Sequence, residues 1–123
     1  RRGRGLMARR DLSGAVDFSV LDRTTGGDSE VSEEVLGLFA EQAALWSNLL
    51  DPRIEGWRDA VHTLRGAASG IGADDLAAQC AAAEALEPKM AAPALERVRS
   101  ALDAALADVA AYRHELMLKS LRR

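Results

Sequence analysis

The sequence predicts an all-α protein: an antiparallel four-helix bundle with a short additional N-terminal helix or strap. Three features of the chain lead there. Apolar residues make up 48% of it and aromatic residues only 4%; the excess is alanine and leucine, which favour helix over strand. Those residues recur at spacings of three and four and never alternate in the manner of a half-buried strand. Glycine and proline fall at the seams between the periodic stretches, where chain reversals belong. At 123 residues the chain has the length of one domain.

The elements follow in order. Residues 1–15, beginning "RRGRGLMARR", lack hydrophobic periodicity and read as a flexible basic N-terminal arm, in which Met7 is a candidate natural start. The bundle domain occupies residues 16–123. "DFSVLDRTTGGD" (17–28) reads as a short helix or apolar strap ended by Gly26 and Gly27. Asp28 or Ser29 then caps the next helix, and Glu30, Glu33 and Glu34 suit the positive end of its dipole. In that helix Val35, Leu38, Phe39, Gln42, Leu45, Trp46 and Leu49 form the expected core stripe. Asp51-Pro52 closes it and opens a third helix over about residues 53–70, which Gly70 and Gly72 end. A fourth helix runs from about Asp74 to Leu86. "EPKMAAP" connects it to a long last helix starting at Pro93. Short connections between four substantial helices define an antiparallel bundle.

Composition narrows the function. A formal net charge of -3 does not suit a protein that coats nucleic acid, and the basic start lacks the interleaved aromatics of a single-strand binder. The single cysteine, Cys80, forms no internal disulfide and fits a reducing compartment. No apolar run is long enough for a bilayer and no signal-type segment follows the basic start. The expectation is a cytoplasmic monomer with no nucleic-acid or membrane partner. His114 has no ligand-like spacing to His62, so no metal site is expected. Cys80 is assigned to packing, and Trp46 and Trp57 to core or rim.

The chemistry gathers in "AVHTLRGAASGIGADDL", residues 60–76. At about 100° per residue, Trp57, Val61, Leu64, Ala68 and Ile71 fall in one arc and form the core stripe. Arg58, His62, Arg65, Gly66 and Ser69 fall roughly 140° away by the same arithmetic. His62 therefore faces solvent, bracketed by two guanidinium groups that suit an anionic phosphoryl group. Gly66, one turn on, removes a side chain beside the ring and clears space for another protein's surface. That access explains a glycine in mid-helix, which costs about 1 kcal/mol relative to alanine. On the fourth helix Leu76, Cys80 and Ala83 form the core stripe and Glu84 sits on its shoulder, within reach of the third.

The run "HTLRGAASGIGADDL" (62–76) closely resembles the signature of histidine-containing phosphotransfer domains, roughly H-x-L-K-G-x-x-x-x-[IL]-G-A-x-x-L. The likeness extends upstream through "EVLGLFAEQAALW" and downstream through "AAQCAAAEAL", over about residues 17–115. The resemblance implies that His62 is the phosphorylated residue. It implies that Arg65, standing where lysine is commoner, neutralises phosphate charge, and that Gly66 is the small residue beside the ring. Glu84, 22 positions after the histidine, would orient the imidazole through Nδ1, as a glutamine or glutamate does in several family members.

The function so implied is that of a phosphorelay intermediate in two-component signal transduction. His62 would accept a phosphoryl group from a receiver-domain aspartate and pass it to another receiver, of a response regulator or a hybrid kinase. Arg58, Gly66 and Ser69 would meet the partner, with apolar support from among Val20, Leu21, Leu36 and Phe39, although Phe39 suits the core. No cofactor is expected in this chain; a magnesium ion is expected in the partner receiver. The chain carries no glycine-rich ATP-binding segment and "HTLRG" departs from the H-E-x-x-x-P pattern of kinase dimerisation helices, so it would be a phosphotransfer protein without a kinase domain of its own. The excess of arginine over lysine suggests a GC-rich bacterial source. The alternative reading is a helical adaptor that binds a partner through the same face and is never phosphorylated.

Overall fold

The structure is a computed structural model and describes residues 13–122. Five α-helices follow one another: α1 (Phe18–Thr25), α2 (Ser29–Ser47), α3 (Trp57–Ile71), α4 (Asp74–Glu84) and α5 (Ala92–Leu121), with a 3₁₀ turn at Pro88–Met90 before the last. Among the described residues there is no strand. Helices α2 to α5 each pack on their chain neighbours, and α2 also closes against α5. The four therefore form a bundle with α2 opposite α4 and α3 opposite α5, while α1 lies across α2 and α3.

Local chemistry sets the boundaries. The Asp17 carboxylate accepts from the Ser19 amide at 3.1 Å and starts α1. Asp28 caps α2 by accepting from the Glu30 and Val31 amides at 2.9 and 3.1 Å, as a side-chain oxygen at the N-cap does. Helix α3 ends in a Schellman motif: Gly72 turns left-handed at φ 87°, its N–H donates to Ser69 and the Ala73 N–H donates to Ala68. Gly72 is required twice over. The Asp17 N–H donates to its carbonyl at 2.8 Å, and a Cβ there would run into the Asp17 carbonyl oxygen. Residues 51–56 form turns, so α3 begins at Trp57, four residues later than its sequence pattern suggests.

The core holds the third-helix stripe as expected: Trp57, Val61, Leu64, Ala68 and Ile71 are all buried. Helix α2 differs. It buries Ser32, Leu36, Phe39 and Ala43, while Leu38 and Leu45 of the expected stripe are 54% and 67% exposed and Gln42 faces solvent. The helix carries two apolar faces, and the one that holds Leu36 and Phe39 packs inward. Ser32 keeps a partner there, its hydroxyl 3.1 Å from that of Thr25.

Most of the basic arm expected over residues 1–15, including Met7, lies outside the described residues. Its end is fixed: Asp108, fully buried on α5, accepts from the Ser13 amide and hydroxyl at 2.7 and 2.9 Å and from the Val16 amide at 3.2 Å. Phe18 stacks on Tyr112 with ring centroids 4.0 Å apart. The start of the described residues is thus bound to the last helix.

Candidate functional site

His62 lies in the second turn of α3 with its side chain 65% exposed. The face that buries Val61 and Leu64 points the two intervening residues, His62 and Thr63, outward, since a helix turns about 100° per residue. Glu84, the last residue of α4, is only 17% exposed and meets the imidazole, with Oε2 at 3.1 Å and Oε1 at 3.4 Å from Nδ1. A carboxylate can only accept, so Nδ1 donates to it, and in the neutral ring this leaves the Nε2 lone pair free. The carboxylate has a second partner: an Arg65 guanidinium nitrogen lies 2.7 Å from Oε1. Glu84 thus ties a cation and the imidazole together across the α3–α4 seam.

Gly66 has open space on its side-chain side; a Cβ there would meet nothing within 4 Å. Ser69 is exposed on the same face. Arg58 does not stand free beside the ring. Its Nε donates to the Glu84 carbonyl at 3.1 Å and a terminal nitrogen donates to the Leu86 carbonyl at 2.5 Å, and its guanidinium lies 4.6 Å from the Trp57 ring centroid. The structure thereby corrects its expected place beside the phosphoryl group. Its neighbours at the end of α4, not its angle on α3, decide where it points.

Beneath the site, Cys80 is fully buried. Burial first, and then the Glu84 charge, push its thiol up to about 12, against an opposing pull from Arg65. His114 is exposed on α5, in a cleft with Arg113 and Met117. Among the described residues no group of histidine, cysteine or acidic side chains could hold a metal ion. No helix among them is long and apolar enough to cross a membrane.

Of the four apolar residues considered for docking, Leu21, Leu36 and Phe39 are buried and Val20 is half-buried. Sequence reasoning missed the exposed set on α2: Val31, Leu38 and Leu45, at intervals of seven. Glu33 and Gly37 face Arg113 of α5. That places these three on the flank turned away from α5, toward α3. The signal was present in the sequence, where the same leucines were assigned to the core.

An exposed imidazole on the second helix of a four-helix bundle, held through Nδ1 by a glutamate of the third, defines a class of protein. The model of the Hpt domain family matches residues 31–112, and the chain belongs to that family of histidine phosphotransfer domains. Its role is that of a phosphorelay intermediate, and proteins of this family interact with receiver domains. Among solved structures, the chain is similar to the histidine phosphotransferase ShpA from Caulobacter crescentus. The two are 55% identical with a TM-score of 0.78, over 88% of this chain and 99% of that one. No curated protein sequence matches.

Proposed function

We propose that His62 is the residue that takes the phosphoryl group, from the phosphoaspartate of one receiver domain, and yields it to the aspartate of another. The observation that carries this is the contact of His62 Nδ1 with Glu84 at 3.1 Å on an otherwise open face. The Nε2 lone pair attacks phosphorus, the P–O bond to the receiver's aspartate breaks, and that carboxylate leaves with the bonding pair. The ring gains positive charge as the N–P bond forms, and the Glu84 carboxylate stabilises it through the Nδ1 hydrogen. The return step reverses these movements.

Transfer of this kind passes through a loose transition state with charge spread over the equatorial oxygens, so positioning and charge neutralisation dominate. Arg65 supplies the positive charge on this side by exchanging its bond to Glu84 for one to the phosphoryl oxygens. The receiver supplies the phosphoaspartate and a magnesium ion, and no cofactor is held by this chain. Gly66 and Ser69 lie under the incoming receiver, and Val31, Leu38 and Leu45 of α2 give it an apolar margin. The protein acts as a monomer in the cytoplasm, without nucleic-acid or membrane partners.

The test mixes the folded protein with a panel of phosphorylated receivers and assays acid-labile phosphate. Wild type is expected to become labelled, and His62→Gln to lose all label while still binding the same receivers. Labelling that persists in His62→Gln places the phosphoryl group on another residue and overturns the assignment of His62. A folded wild type that docks but takes no label from any receiver selects the unphosphorylated adaptor instead.

A further inference from the structure

We propose that Arg58 is a positioning residue that acts on His62 through Glu84, by capping the C-terminal end of α4 from the neighbouring helix. The proposal rests on the reading of His62 as the phosphoryl acceptor, and adds a residue to that site which never touches the phosphoryl group.

The need for such a cap is visible at the end of α4. The last four carbonyls of a helix lack intrahelical partners, and the usual closure is a left-handed glycine. Here the residue after Glu84 is Ala85, in right-handed conformation, and the last turn of α4 holds no basic side chain of its own. The chain then leaves through Leu86 toward Pro88. An eleven-residue helix ending this way is prone to fray at the very residue whose carboxylate must meet His62.

Arg58 supplies what is missing. Its planar fork donates to two exit carbonyls on either side of Ala85, those of Glu84 and Leu86, at 3.1 and 2.5 Å. Its charge sits at the negative end of the α4 dipole. The indole of Trp57, itself buried, carries the guanidinium at 4.6 Å, which fixes the fork before it meets the carbonyls. Glu84 is therefore held at both ends by arginines of one helix, Arg58 on its backbone and Arg65 on its carboxylate. The two arginines are seven residues apart on α3, and His62 lies between them. Loss of the backbone hold lets the carboxylate leave Nδ1, and the imidazole then samples both tautomers, one of which has no lone pair at Nε2.

The experiment compares wild type, Arg58→Ala, Arg58→Lys, Glu84→Ala and the Arg58→Ala/Glu84→Ala double variant. Nitrogen NMR of the histidine ring reads the His62 tautomer, and single-turnover labelling from a phosphorylated receiver, titrated to saturation, separates rate from docking. Arg58→Ala is expected to mix the tautomers and to lower the saturated rate by about tenfold, the scale on which partners that orient a working histidine act. The half-saturating receiver concentration stays as in wild type. Arg58→Lys restores part of both effects, since it keeps the charge but loses the fork. The double variant is no slower than Glu84→Ala, because Arg58 acts through that residue.

An unchanged tautomer ratio in folded Arg58→Ala overturns the proposal. So does a rise in half-saturation at unchanged rate, which marks a docking residue, or full additivity with Glu84→Ala. If Arg58→Ala does not fold, Arg58→Lys decides by the same tautomer measurement. If wild type takes no label at all, the reading of His62 fails, and the ring spectra still settle the link from Arg58 to Glu84.

Discussion

Two residues at the site have unusual environments for opposite reasons. Gly66 is open where a helix would gain from a side chain, and its absence of contacts means alanine fits. Gly66→Ala is expected to stabilise the fold by about 0.5–1 kcal/mol, since alanine is the better helix former. The same methyl group stands beside the imidazole, so transfer from a phosphorylated receiver should slow. A thermal melt and a labelling rate moving in opposite directions would establish that access, not folding, accounts for the glycine. Cys80 is the reverse case, closed on every side, its thiol pushed up to about 12. The thiolate is the reactive form, so a disulfide-exchange reagent at pH 8 should leave the native thiol intact and titrate it promptly in denaturant. Fast native labelling would contradict the packing described for α4.

Among the elements, the end of α3 bears most on the site, because it holds the first helix in place. Gly72 combines a left-handed backbone with contact against the Asp17 carbonyl. Gly72→Ala adds a left-handed penalty of about 1–2 kcal/mol to a clash with backbone that cannot move aside. The expected loss of at least about 2 kcal/mol should appear in denaturant melts as a lower midpoint. It should fall on α1, which depends on the Asp17 to Gly72 hydrogen bond. Gly70, helical and open, serves as the control: alanine there should be neutral or slightly stabilising. Helix α2 shows how an element can carry two assignments at once. Its inner face holds Ser32, Leu36 and Ala43, outside the expected stripe, together with Phe39 from it, and its outer face keeps Leu38 and Leu45 in solvent.

On the scale of the whole molecule, cross-links between the first and last parts of the chain close the bundle. Asp108 holds Ser13 and Val16, and Arg113 of α5 holds Glu33 of α2 with bonds of 2.8 and 2.9 Å. The Arg113 hydrogen bonds hold the Glu33 carboxyl below the usual glutamate value, and Arg113 is raised by the same pair. A carboxyl depressed in the folded state stabilises above its unfolded value, near 4.3. That contribution is lost as pH falls through the folded value. Both partners are more than a third exposed, so screening limits the pair to about 0.2–1 kcal/mol. Glu33→Gln should cost that much at pH 7 and progressively less as the pH falls below the unfolded value, as read from urea midpoints across an acid series. An equal cost throughout would assign the effect to packing.

The order of helices, the inward stripe of α3 and the outward His62 were all determined by the sequence alone, which offered Asp28 or Ser29 as the cap of α2 and Gly70 and Gly72 as the end of α3; the structure chose Asp28 and Gly72. Each depends on periodicity or capping within one element, and a helix fixes the angle between its own residues. The Glu84 contact was accessible too, because its place on the shoulder of α4 and the family resemblance agreed. What only the tertiary structure decided is how each helix is rotated against its neighbours. The wheel could not choose between two apolar faces of α2, since that choice depends on where α3 and α5 pack against it. Nor could it show that Arg58 turns to the end of α4 or that Arg65 shares Glu84 with the imidazole, because those carbonyls and that carboxylate come from a different helix.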